Sequence, residues 1–584
     1  MSSLEHKRHT LAHLLAKAVL RTFPHAKPTI GPAIDTGFYY DFDFSGGPVP
    51  TDSDLKKTEK HMREALSAWK TFTHRTVTPD EARAFFKDNP YKTELINELE
   101  AKGETITLYT VGEGHFEFTD LCRGGHSESP ATDIGADSFM LTSVAGAYWR
   151  GDEKKPMLTR IYGLAFDSKD ELDAYNAQIE EAKKRDHKKL GVELDLFSFS
   201  PLVGPGLPLW SPKGTLLRNL LDAYVWRLRE NAGYVRVEIP HITKKDLYIT
   251  SGHWDKFKDE LFRITTREGH EFAMKPMNCP HHTQIYARKM WSYRELPQRY
   301  ANTTTCYRDE QSGELSGLSR VRAFAQDDAH VFCRMSQARD EFLKIWDIVH
   351  TFYGAFGFKL RVRISKHDPE KPESYLGDKE NWAHAEGILE EIAKEKGADS
   401  FVGIGEAAFY GPKLDFMAKD ALGREWQVAT IQLDMNMPER FDLTCVNEKG
   451  EKERIVMIHA AIMGSIERFM SVLIEHTGGN FPLWLSPEQI RVIPVAEAHY
   501  TYAKHVYDGL IDIGIRATLD ESNDSLGKRI RNAKTDKLPY FVVIGDKEVE
   551  AKNVTLESRN GESIQIELEA LGNHLLAEVD TKKM

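Results

Sequence analysis

The chain has 584 residues, of which 41% are hydrophobic and 28% charged, a length and composition typical of a globular protein with about three or four domains. The formal net charge of −12 does not indicate a nucleic-acid partner, although phosphate contacts require only local basic surface. The sequence has no apolar run long enough to span a membrane, and its polar start lacks the order of a signal peptide, so we expect a cytoplasmic protein with no membrane partner. Its five cysteines are odd in number and widely spaced, which argues against a disulfide framework and favours metal binding or thiol chemistry.

The first predicted element is a helix from Leu4 to about Phe23, because leucines, alanines and a valine recur on one of its faces. Short strand-like and helical segments follow to about Phe166. A polar helix from about Lys169 to Lys189, rich in charges of both signs, is typical of a connector between domains. These patterns predict a first domain over residues 1–168 and a linker helix over residues 169–190.

A second domain is predicted over residues 191–480. Strand-like patterns dominate between residues 234 and 435, and they include residues 234–239 and 425–434. Predicted helices lie near residues 215–231, 337–353 and 381–396, and a final helix is expected to start near His459. We therefore expect a multidomain α+β protein whose large domain is built on a mainly antiparallel sheet.

The last predicted domain covers residues 481–584, after a boundary marked by Gly478-Gly479 and nearby prolines. Strand patterns near residues 490–495, 515–520 and 539–545 alternate with helical ones. This alternation predicts a small α/β domain with a partly parallel sheet. A basic cluster near residues 528–537 fits either a solvated helix face or an RNA contact.

Two arginine-bearing segments are predicted to form a hairpin. Arg308-Asp-Glu310 is followed by a Gly/Ser-rich loop and then by Arg320-Val-Arg-Ala-Phe324. Guanidinium groups that face each other across a hairpin would bind polyphosphate or carboxylate oxygens, and Phe324 could stack on a base. A hairpin that carries only surface ion pairs explains the same pattern.

Two further segments give the hairpin a family context. Gly233-Tyr-Val-Arg-Val-Glu-Ile-Pro240 follows a long predicted helix, and Gly464-Ser-Ile-Glu-Arg468 opens another. Together with the arginine hairpin they resemble, in order and context, the three signature motifs of class II aminoacyl-tRNA synthetases. The resemblance implies a class II catalytic core, a homodimer, and ATP with Mg²⁺ as substrate. It assigns Arg308 and Arg468 to the phosphates as catalytic residues, and it assigns further ATP contacts to Glu310, Arg320, Phe324 and Gln427.

A second set of segments concerns a metal. Cys279 lies in Lys-Pro-Met-Asn-Cys-Pro-His-His, His330 in Asp-Asp-Ala-His and His459 in Ile-His-Ala-Ala-Ile. Their spacing matches no local zinc-finger pattern, but the surrounding segments resemble the zinc-binding segments of the threonyl-tRNA synthetase family. The resemblance implies one Zn²⁺ per subunit, held by these three residues with a position open for substrate. His282 stands where that family has its histidine, and His281 is an additional imidazole.

Such a metal serves selectivity. Threonine and valine are nearly isosteric, so an apolar pocket separates them weakly, whereas a metal that takes the amino and hydroxyl groups rejects valine. By the same resemblance, Asp328 accepts from the substrate hydroxyl. His253 matches a histidine near the 2′-hydroxyl of the terminal adenosine of the tRNA, which makes it a candidate for proton handling. The family's other contacts to the amino acid fall on Gln326, Tyr410 and Gln432.

Serine carries the same amino and hydroxyl groups as threonine, so proofreading is needed in addition. The N-terminal block has His9 and His13 on one helix face, and Cys122 and His126 in Cys-Arg-Gly-Gly-His. From the residues alone this set fits a second metal site. By resemblance it is the editing site of bacterial-type members, which hydrolyses seryl-tRNA without an obligatory metal. Further editing positions are Lys92 and Asp120.

The resemblance covers essentially the whole chain and implies a threonine–tRNA ligase that forms threonyl-adenylate from L-threonine and ATP and charges tRNA(Thr). In the last domain it implies anticodon binding by Asn523 and Glu548. Glu557 stands where better-known members have a base-contacting arginine, and Arg559 is a candidate substitute. The small ubiquitin-like N-terminal domain common in bacterial members has no counterpart in the sequence.

Two other hypotheses stay open. A catalytically silent paralogue could bind tRNA as a regulator, but it would tolerate the loss of Arg308 or Arg468, and both are present. A class II enzyme for another amino acid, such as serine or proline, is disfavoured by the joint presence of Asp328 and the Cys/His/His set.

Overall fold

The structure is a computed structural model that describes residues 3–377 and 379–582. The chain divides into two compact units, one ending at Glu180 and the other beginning at Glu181. The predicted α+β class is confirmed, with helices and mainly antiparallel sheets in both units. Within the described ranges, no helix combines the length and the apolar character that crossing a bilayer requires.

The N-terminal unit is built around its first helix, which is predicted correctly. Leu11, Leu14 and Leu15 of this helix are fully buried against the aromatic side chains of a sheet strand that includes Phe38 and Phe42. The sheets have the strand orders β1-β3-β8-β7, with β2 on β3, and β4-β5-β6. The elements are α1 (Ser3–Thr22), β1 (Lys27–Pro28), β2 (Ala33–Ile34), β3 (Gly37–Asp43), α2 (Leu55–Leu66), β4 (Thr73–Val77), α3 (Pro79–Phe85), α4 (Pro90–Ala101), β5 (Ile106–Val111), β6 (Phe118–Leu121), α5 (Pro130–Asp133), β7 (Phe139–Tyr148) and β8 (Met157–Ala165).

The predicted linker helix over residues 169–190 is in fact two helices, α6 (Lys169–Arg185) and α7 (His187–Glu193). Asp186 interrupts the helical backbone with φ −50° and ψ 119°. Its side chain accepts a hydrogen bond from the Lys188 amide at 2.8 Å and so caps α7. A capping residue inside a charged segment therefore ends one helix and starts the next. The domain boundaries stay a prediction.

The second unit begins with the large domain. Its helices are α8 (Pro212–Asn231), α9 (Lys245–Ser251), α10 (His253–Lys256), α11 (Cys279–Ala287), α12 (Met335–Gly354), α13 (Lys379–Glu395), α14 (Asn436–Arg440) and α15 (Ile466–Thr477). Its strands are β9 (Phe197–Ser198), β10 (Leu209–Trp210), β11 (Val235–Arg236), β12 (Ile242–Lys244), β13 (Arg263–Thr265), β14 (Glu271–Met274), β15 (Trp291–Ser292), β16 (Gln298–Tyr307), β17 (Ala323–Cys333), β18 (Leu360–Lys366), β19 (Ser400–Ile404), β20 (Lys413–Lys419), β21 (Glu425–Asp434), β22 (Thr444–Val446), β23 (Lys452–Arg454) and β24 (Val456–Ser465).

The main sheet of this domain has the order β11-β16-β17-β24-β21-β20-β18-β19. It is antiparallel except at its two edges, where β11 pairs with β16 and β19 with β18 in parallel. Helices α12 and α15 contribute Phe342, Val349 and Phe469 to the core that covers one face. Small sheets of β12-β14-β13 and β15-β22-β23 lie outside this order.

The prediction of a helix that starts near His459 is wrong. Residues 456–465 form strand β24, which pairs with β17 on one side and β21 on the other. A nearly continuous apolar run is what a strand needs when it is central and buried on both faces, and such a run is easily read as a helix. The helix begins at Ile466, where the Ser465 hydroxyl accepts from the Arg468 amide at 3.2 Å.

The C-terminal domain is a small sheet of order β26-β25-β27-β28-β29 with helices. Strand β25 pairs in parallel with β26 and β27, and the remaining pairs are antiparallel, which confirms the predicted partly parallel sheet. The elements are β25 (Ile490–Pro494), α16 (Tyr500–Asp512), β26 (Ala517–Leu519), α17 (Leu526–Thr535), β27 (Tyr540–Ile544), α18 (Asp546–Ala551), β28 (Asn553–Ser558), β29 (Ser563–Glu567) and α19 (Leu568–Thr581).

Candidate functional site

A cavity of about 350 Å³ is lined by residues of β17, β21 and β24. Side chains two residues apart on a strand point to the same face, so Gln326, Asp328 and His330 of β17 all line it. Asp327 points the other way and pairs with Arg229 at 2.6 Å. The other predicted site residues in the lining are Arg308, Tyr410, Gln427, Gln432, His459 and Arg468.

The two predicted phosphate-binding arginines reach this cavity from different elements. Arg308 follows β16, and Arg468 lies in the first turn of α15. The guanidinium of Arg308 lies 5.3 Å from the ring centroid of Phe324 and 5.6 Å from that of Phe257, so cation–π contacts orient it. Neither arginine forms an ion pair within the described part of the chain. The cavity therefore holds positive charge without a matching carboxylate on either guanidinium, which suits a polyanionic ligand.

Cys279 comes together with His330 and His459, two residues of the cavity lining; all three are buried, and one ligand atom of each lies within 4.8 Å of the others. The His330 Nε2 and His459 Nδ1 atoms are 3.1 Å apart. A tetrahedral zinc with Zn–N bonds near 2.05 Å separates two nitrogen ligands by about 3.3 Å.

The second nitrogen of each ring has a partner of its own. His459 Nε2 lies 3.0 Å from Asp434 Oδ2, and His330 Nδ1 lies 2.8 Å from His282 Nδ1. Such outer contacts are typical of metal-ligating histidines, because they orient the ring and leave one nitrogen for the metal. The donor set, its burial and its orientation therefore fit Zn²⁺.

Polar side chains around the Cys/His/His set are held in fixed directions. Asn278 donates from Nδ2 to Asp328 Oδ2 at 3.0 Å, and Gln432 donates to the Gly411 carbonyl at 3.0 Å. The Tyr410 ring lies 5.1 Å from the ring of His459. Asp328, Tyr410 and Gln432 line the same cavity as His330 and His459 and offer hydrogen-bonding atoms to a small polar ligand there.

Of the other predicted ATP contacts, Gln427 lines the cavity, whereas Glu310, Arg320 and Phe324 are not in its lining. Glu310 is 7% exposed and accepts from Arg320 at 2.8 Å, so this carboxylate and guanidinium are paired with each other. Gln427 accepts from Arg363 at 2.8 Å and donates to Asp415 at 2.8 Å. Three of the predicted ATP residues are thus already bound in networks that fix their positions.

His253 lies beside the Cys/His/His set and outside the cavity lining. Its ring is fully buried, with Nδ1 at 2.8 Å from the Ser251 hydroxyl and Nε2 at 3.9 Å from Cys279 Sγ. Burial, together with the nearby His459 and Arg308, lowers the pKa of His253 to about 3. The ring is therefore neutral at pH 7 in this environment.

A second cluster lies in the N-terminal unit, where His9 and His13 of α1 meet Cys122 and His126. Cys122 Sγ lies 3.6 Å from His9 Nε2 and 3.3 Å from His126 Nε2. His9 Nδ1 contacts the Gly125 carbonyl at 3.2 Å, which directs its other nitrogen into the cluster.

The loop that carries Cys122 and His126 needs a glycine, and the side chains of the cluster are buried. Gly124 has φ +93°, and a Cβ there would lie 2.5 Å from the Tyr109 hydroxyl, so the turn requires glycine. Burial lowers the pKa of His9, His13 and His126, and it raises the pKa of Cys122 to about 11. The cluster therefore presents neutral imidazoles and a protonated thiol at pH 7.

Lys92 and Asp120 form a buried ion pair in the same unit, with Lys92 Nζ 2.5 Å from Asp120 Oδ1 and both residues 2% exposed. The Tyr40 hydroxyl donates to the other carboxylate oxygen at 2.5 Å. Asp120, but not Lys92, also lines a cavity of about 490 Å³ together with residues of α1 and α3.

The predicted anticodon residues lie in the C-terminal domain. Asn523 is exposed between β26 and α17. Glu548 accepts from the Gly545 amide at 3.0 Å and from the Thr555 hydroxyl at 2.9 Å, so its carboxylate already caps α18. Arg559 donates to the Phe481 carbonyl at 2.6 Å. This contact argues against the prediction that Arg559 replaces the base-contacting arginine that other members have at the position of Glu557.

Known proteins resemble this chain over most of its length. Residues 262–477 match the family described as the tRNA synthetase class II core domain (G, H, P, S and T), and residues 489–578 match the anticodon binding domain. The threonine–tRNA ligase of Flavobacterium johnsoniae is 50% identical over 554 residues, covering 94% of this chain and 84% of that protein. The chain belongs to the threonine–tRNA ligase family.

Solved structures of the same family share its architecture. The RNA binding domain of the threonyl-tRNA synthetase from Cryptosporidium parvum has a TM-score of 0.64 at 38% identity, over 67% of this chain and 98% of that one. A putative threonyl-tRNA synthetase from Aeropyrum pernix has a TM-score of 0.60 at 31% identity, over 68% of this chain and 97% of that one. These likenesses support the class II core and the α+β multidomain fold of this threonine–tRNA ligase family member.

Two residues near the Cys/His/His set of this family member were missed from sequence. Asp434 holds His459, and Asn278 holds Asp328. Asp434 follows Gln432 by two residues on β21, so it shares the face of a predicted site residue, and that spacing was the available signal. Asn278 directly precedes Cys279, but its direction depends on a partner 50 residues away.

Proposed function

We propose that the protein is a threonine–tRNA ligase, which uses ATP to join L-threonine to the 3′ end of tRNA(Thr) and hydrolyses seryl-tRNA(Thr) made in error. The observation that carries the proposal is one cavity in which two arginines without acidic partners lie beside a Cys/His/His set. Activation of an amino acid requires both kinds of chemistry in one place, because the nucleotide is a polyanion and the amino acid must be selected by its polar groups.

Activation joins threonine to ATP. A carboxylate oxygen of threonine attacks the α-phosphorus, the new P–O bond gives threonyl-adenylate, and the bond to pyrophosphate breaks. Arg308 and Arg468 stabilise the charge that develops on the phosphate oxygens, without having to leave a protein carboxylate first. Mg²⁺ accompanies ATP as part of the substrate. The remaining ATP contacts are Glu310, Arg320, Phe324 and Gln427.

Selection of threonine depends on the Cys/His/His set and on the polar side chains around it. Cys279, His330 and His459 would hold Zn²⁺, which supplies an open coordination position that favours amino and hydroxyl groups over a methyl group. Asp328 accepts a hydrogen bond from the threonine hydroxyl, and Asn278 keeps that carboxylate in place. The other contacts to the amino acid are Gln326, Tyr410 and Gln432.

Transfer moves the threonyl group to tRNA. A ribose hydroxyl of the terminal adenosine attacks the threonyl carbonyl carbon, and AMP leaves. His253 is the residue proposed to take part in the proton transfer, since Ser251 holds its Nδ1 and its Nε2 is directed towards the Cys/His/His set, 3.9 Å from Cys279 Sγ.

Editing belongs to the N-terminal cluster. His9, His13, Cys122 and His126 position a water molecule for attack on the ester carbonyl of seryl-tRNA(Thr), and a neutral imidazole accepts the water's proton. Lys92 and Asp120, a buried ion pair in the same unit, take part in recognising the seryl ester. Because the proposal needs only protein groups, a metal is not part of it.

The partners follow from the reaction and the domains. The tRNA substrate is tRNA(Thr), read at its anticodon with Asn523 and Glu548, and the ligase acts as a cytoplasmic homodimer. The anticodon binding domain match over residues 489–578 supports the binding of a tRNA anticodon by this domain.

The test is ATP–pyrophosphate exchange with threonine, serine and valine, on protein whose zinc content is measured in parallel. We expect exchange with threonine, weaker exchange with serine, none with valine, and about one zinc per chain. Bound zinc without exchange would favour the silent paralogue. Exchange with a different amino acid would mean that the superfamily is right and the substrate wrong. Hydrolysis of seryl-tRNA(Thr), lost in His9→Ala, tests editing separately.

A further inference from the structure

The loop between β16 and β17, residues 308–322, carries ATP-site groups at both ends. The Arg308 amide donates to the Arg322 carbonyl at 2.9 Å, and the Arg320 guanidinium binds the Glu310 carboxylate at 2.8 Å. These contacts close the base of the loop. Its tip, Gly317 to Ser319, is fixed from outside the hairpin.

His187, the first residue of α7, holds the tip. Its Nε2 accepts from the Leu318 amide at 3.0 Å, and its Nδ1 lies 2.6 Å from Glu475 Oε1. The ring is 3% exposed, and Leu318 is fully buried. An amide can only donate and a carboxylate can only accept, so the ring is the neutral tautomer with its proton on Nδ1.

The contact is tight enough to specify a glycine in the loop. Gly317 has φ +52°, and a Cβ there would lie 2.3 Å from His187 Nε2. A side chain at this position would displace the imidazole and strain the backbone. The loop sequence and the histidine are therefore matched to each other.

One face of α15 completes the arrangement. Arg468, Ser471 and Glu475 are three and four residues apart, so they lie along the same side of the helix. Arg468 lines the ATP cavity, Ser471 Oγ lies 3.2 Å from Ser319 Oγ, and Glu475 binds His187. The helix that presents a phosphate-binding arginine thus also anchors the opposite arginine loop.

The carboxylate of Glu475, which is the last group in this series of contacts, is ionised. Burial alone would raise the pKa of Glu475, but hydrogen bonds from His187 and Arg424 outweigh burial, and the pKa lies below its usual value. The His187 amide also donates to Glu475 at 3.2 Å. Glu475 therefore fixes both the ring and the backbone of His187.

We infer that His187 is a positioning residue for ATP: it latches the loop 308–322 to α15, so that the groups at the base of the loop and Arg468 keep their spacing across the phosphates. The inference rests on the proposed ligase function. Among the described residues, the hydrogen-bond partners of His187 are Glu475 and Leu318, which neither line the cavity nor belong to the Cys/His/His set, so His187 acts through the Leu318 amide.

Two substitutions separate the two halves of the latch. The amide nitrogen of Asn takes the place of Nδ1, so His187→Asn keeps a donor to Glu475 and loses the acceptor for Leu318. The amide oxygen of Gln takes the place of Nε2, so His187→Gln restores that acceptor. The full-length chain is assayed by pyrophosphate exchange at varied ATP and varied threonine, and by hydrogen exchange of the peptide that contains Leu318.

We expect His187→Asn to raise the KM for ATP about fivefold to tenfold, to change the KM for threonine less than about twofold, and to increase hydrogen exchange at the loop. His187→Gln should return both readouts towards the wild-type values. Equal behaviour of the two variants would overturn the inference. So would a general defect in His187→Asn, with a lower kcat, a higher KM for both ATP and threonine, and a lower melting temperature. Hydrogen exchange needs no turnover, so a wild-type chain without pyrophosphate exchange would contradict the proposed function while the loop measurement still decides the latch.

Discussion

His281 follows Cys279 by two positions, and its residue type offers it to the metal. Its side chain is 6% exposed, and neither ring nitrogen has a hydrogen-bond partner among the residues described. Burial, with a smaller contribution from Lys275, lowers the pKa of His281 to about 4. The neutral ring packs near Tyr248, at a centroid distance of 6.2 Å. Because the cluster of mutually close ligand atoms comprises Cys279, His330 and His459 without His281, we predict that His281 packs next to the proposed zinc ligands and does not bind the metal.

Metal content distinguishes the two roles. We expect His281→Ala to keep about one zinc per chain and Cys279→Ala to lose it, because only the second removes a ligand. Cys333→Ala is the matched control, since Cys333 is equally buried and lies outside the set. Atomic absorption on purified protein gives the ratio. Loss of zinc from His281→Ala alone would make His281 a ligand.

The Lys92–Asp120 pair makes a prediction about stability. Lys92→Ala would leave the Asp120 carboxylate buried without its counter-charge, at a cost of about 3 kcal/mol to the free energy of unfolding. The double variant Lys92→Met with Asp120→Asn removes both charges and should recover most of that loss. Hydrogen exchange of buried amides in α1 and β3 of the full chain measures it. If single and double variants were equally unstable, packing and not charge would explain the pair.

At the scale of elements, long patterned segments were predicted well and short edges were not. The strand predicted at Glu425–Asp434 has those bounds, and the helix predicted at 337–353 spans Met335–Gly354. The strand predicted over residues 234–239 is reduced to Val235–Arg236. Periodicity reports which side chains are buried, but the length of an edge strand depends on a single neighbour, here β16, which sequence patterns do not reveal.

Helix α15 owes its starting point to Ser465, whose hydroxyl caps the Arg468 amide at 3.2 Å. Ser465→Ala should cost about 1 kcal/mol and let the first turn fray. Because Arg468 lies in that turn, the KM for ATP should rise about fivefold. Ser465→Thr keeps a capping hydroxyl and is the control. A KM for ATP that is the same in Ala, Thr and wild type would show that the cap does not position Arg468.

For the whole molecule, sequence analysis proposed the candidate site residues but not the contacts that orient them. The resemblance of the segments around Cys279, His330 and His459 to zinc-binding segments was what associated them with one metal, and the structure brings the three side chains together. Their second partners, His282 and Asp434, come from other elements and set which ring nitrogen remains available. Such long-range contacts depend on tertiary packing, for which a single sequence carries no periodic signal.

The Cys/His/His set and the cluster of His9, His13, Cys122 and His126 lie in different compact units, which allows the two proposed activities to be separated. Removal of zinc with a chelator should abolish threonine-dependent pyrophosphate exchange, because the Cys/His/His set loses its metal. Hydrolysis of seryl-tRNA(Thr) should continue, because His9, His13 and His126 act as neutral imidazoles without a metal. Zinc added back should restore exchange, at about one ion per chain.

The opposite result would reassign the N-terminal cluster. Cys122 Sγ lies 3.3 Å and 3.6 Å from two imidazole nitrogens, and a tetrahedral zinc would separate sulfur and nitrogen ligands by about 3.6 Å, so the geometry tolerates a metal. If the chelator stopped hydrolysis as well, and about two zinc ions per chain were needed for recovery, this cluster would be a second zinc site. Cys122→Ser then decides between them, because it would remove the second ion from a metal site but leave the zinc content of a metal-free editing site unchanged.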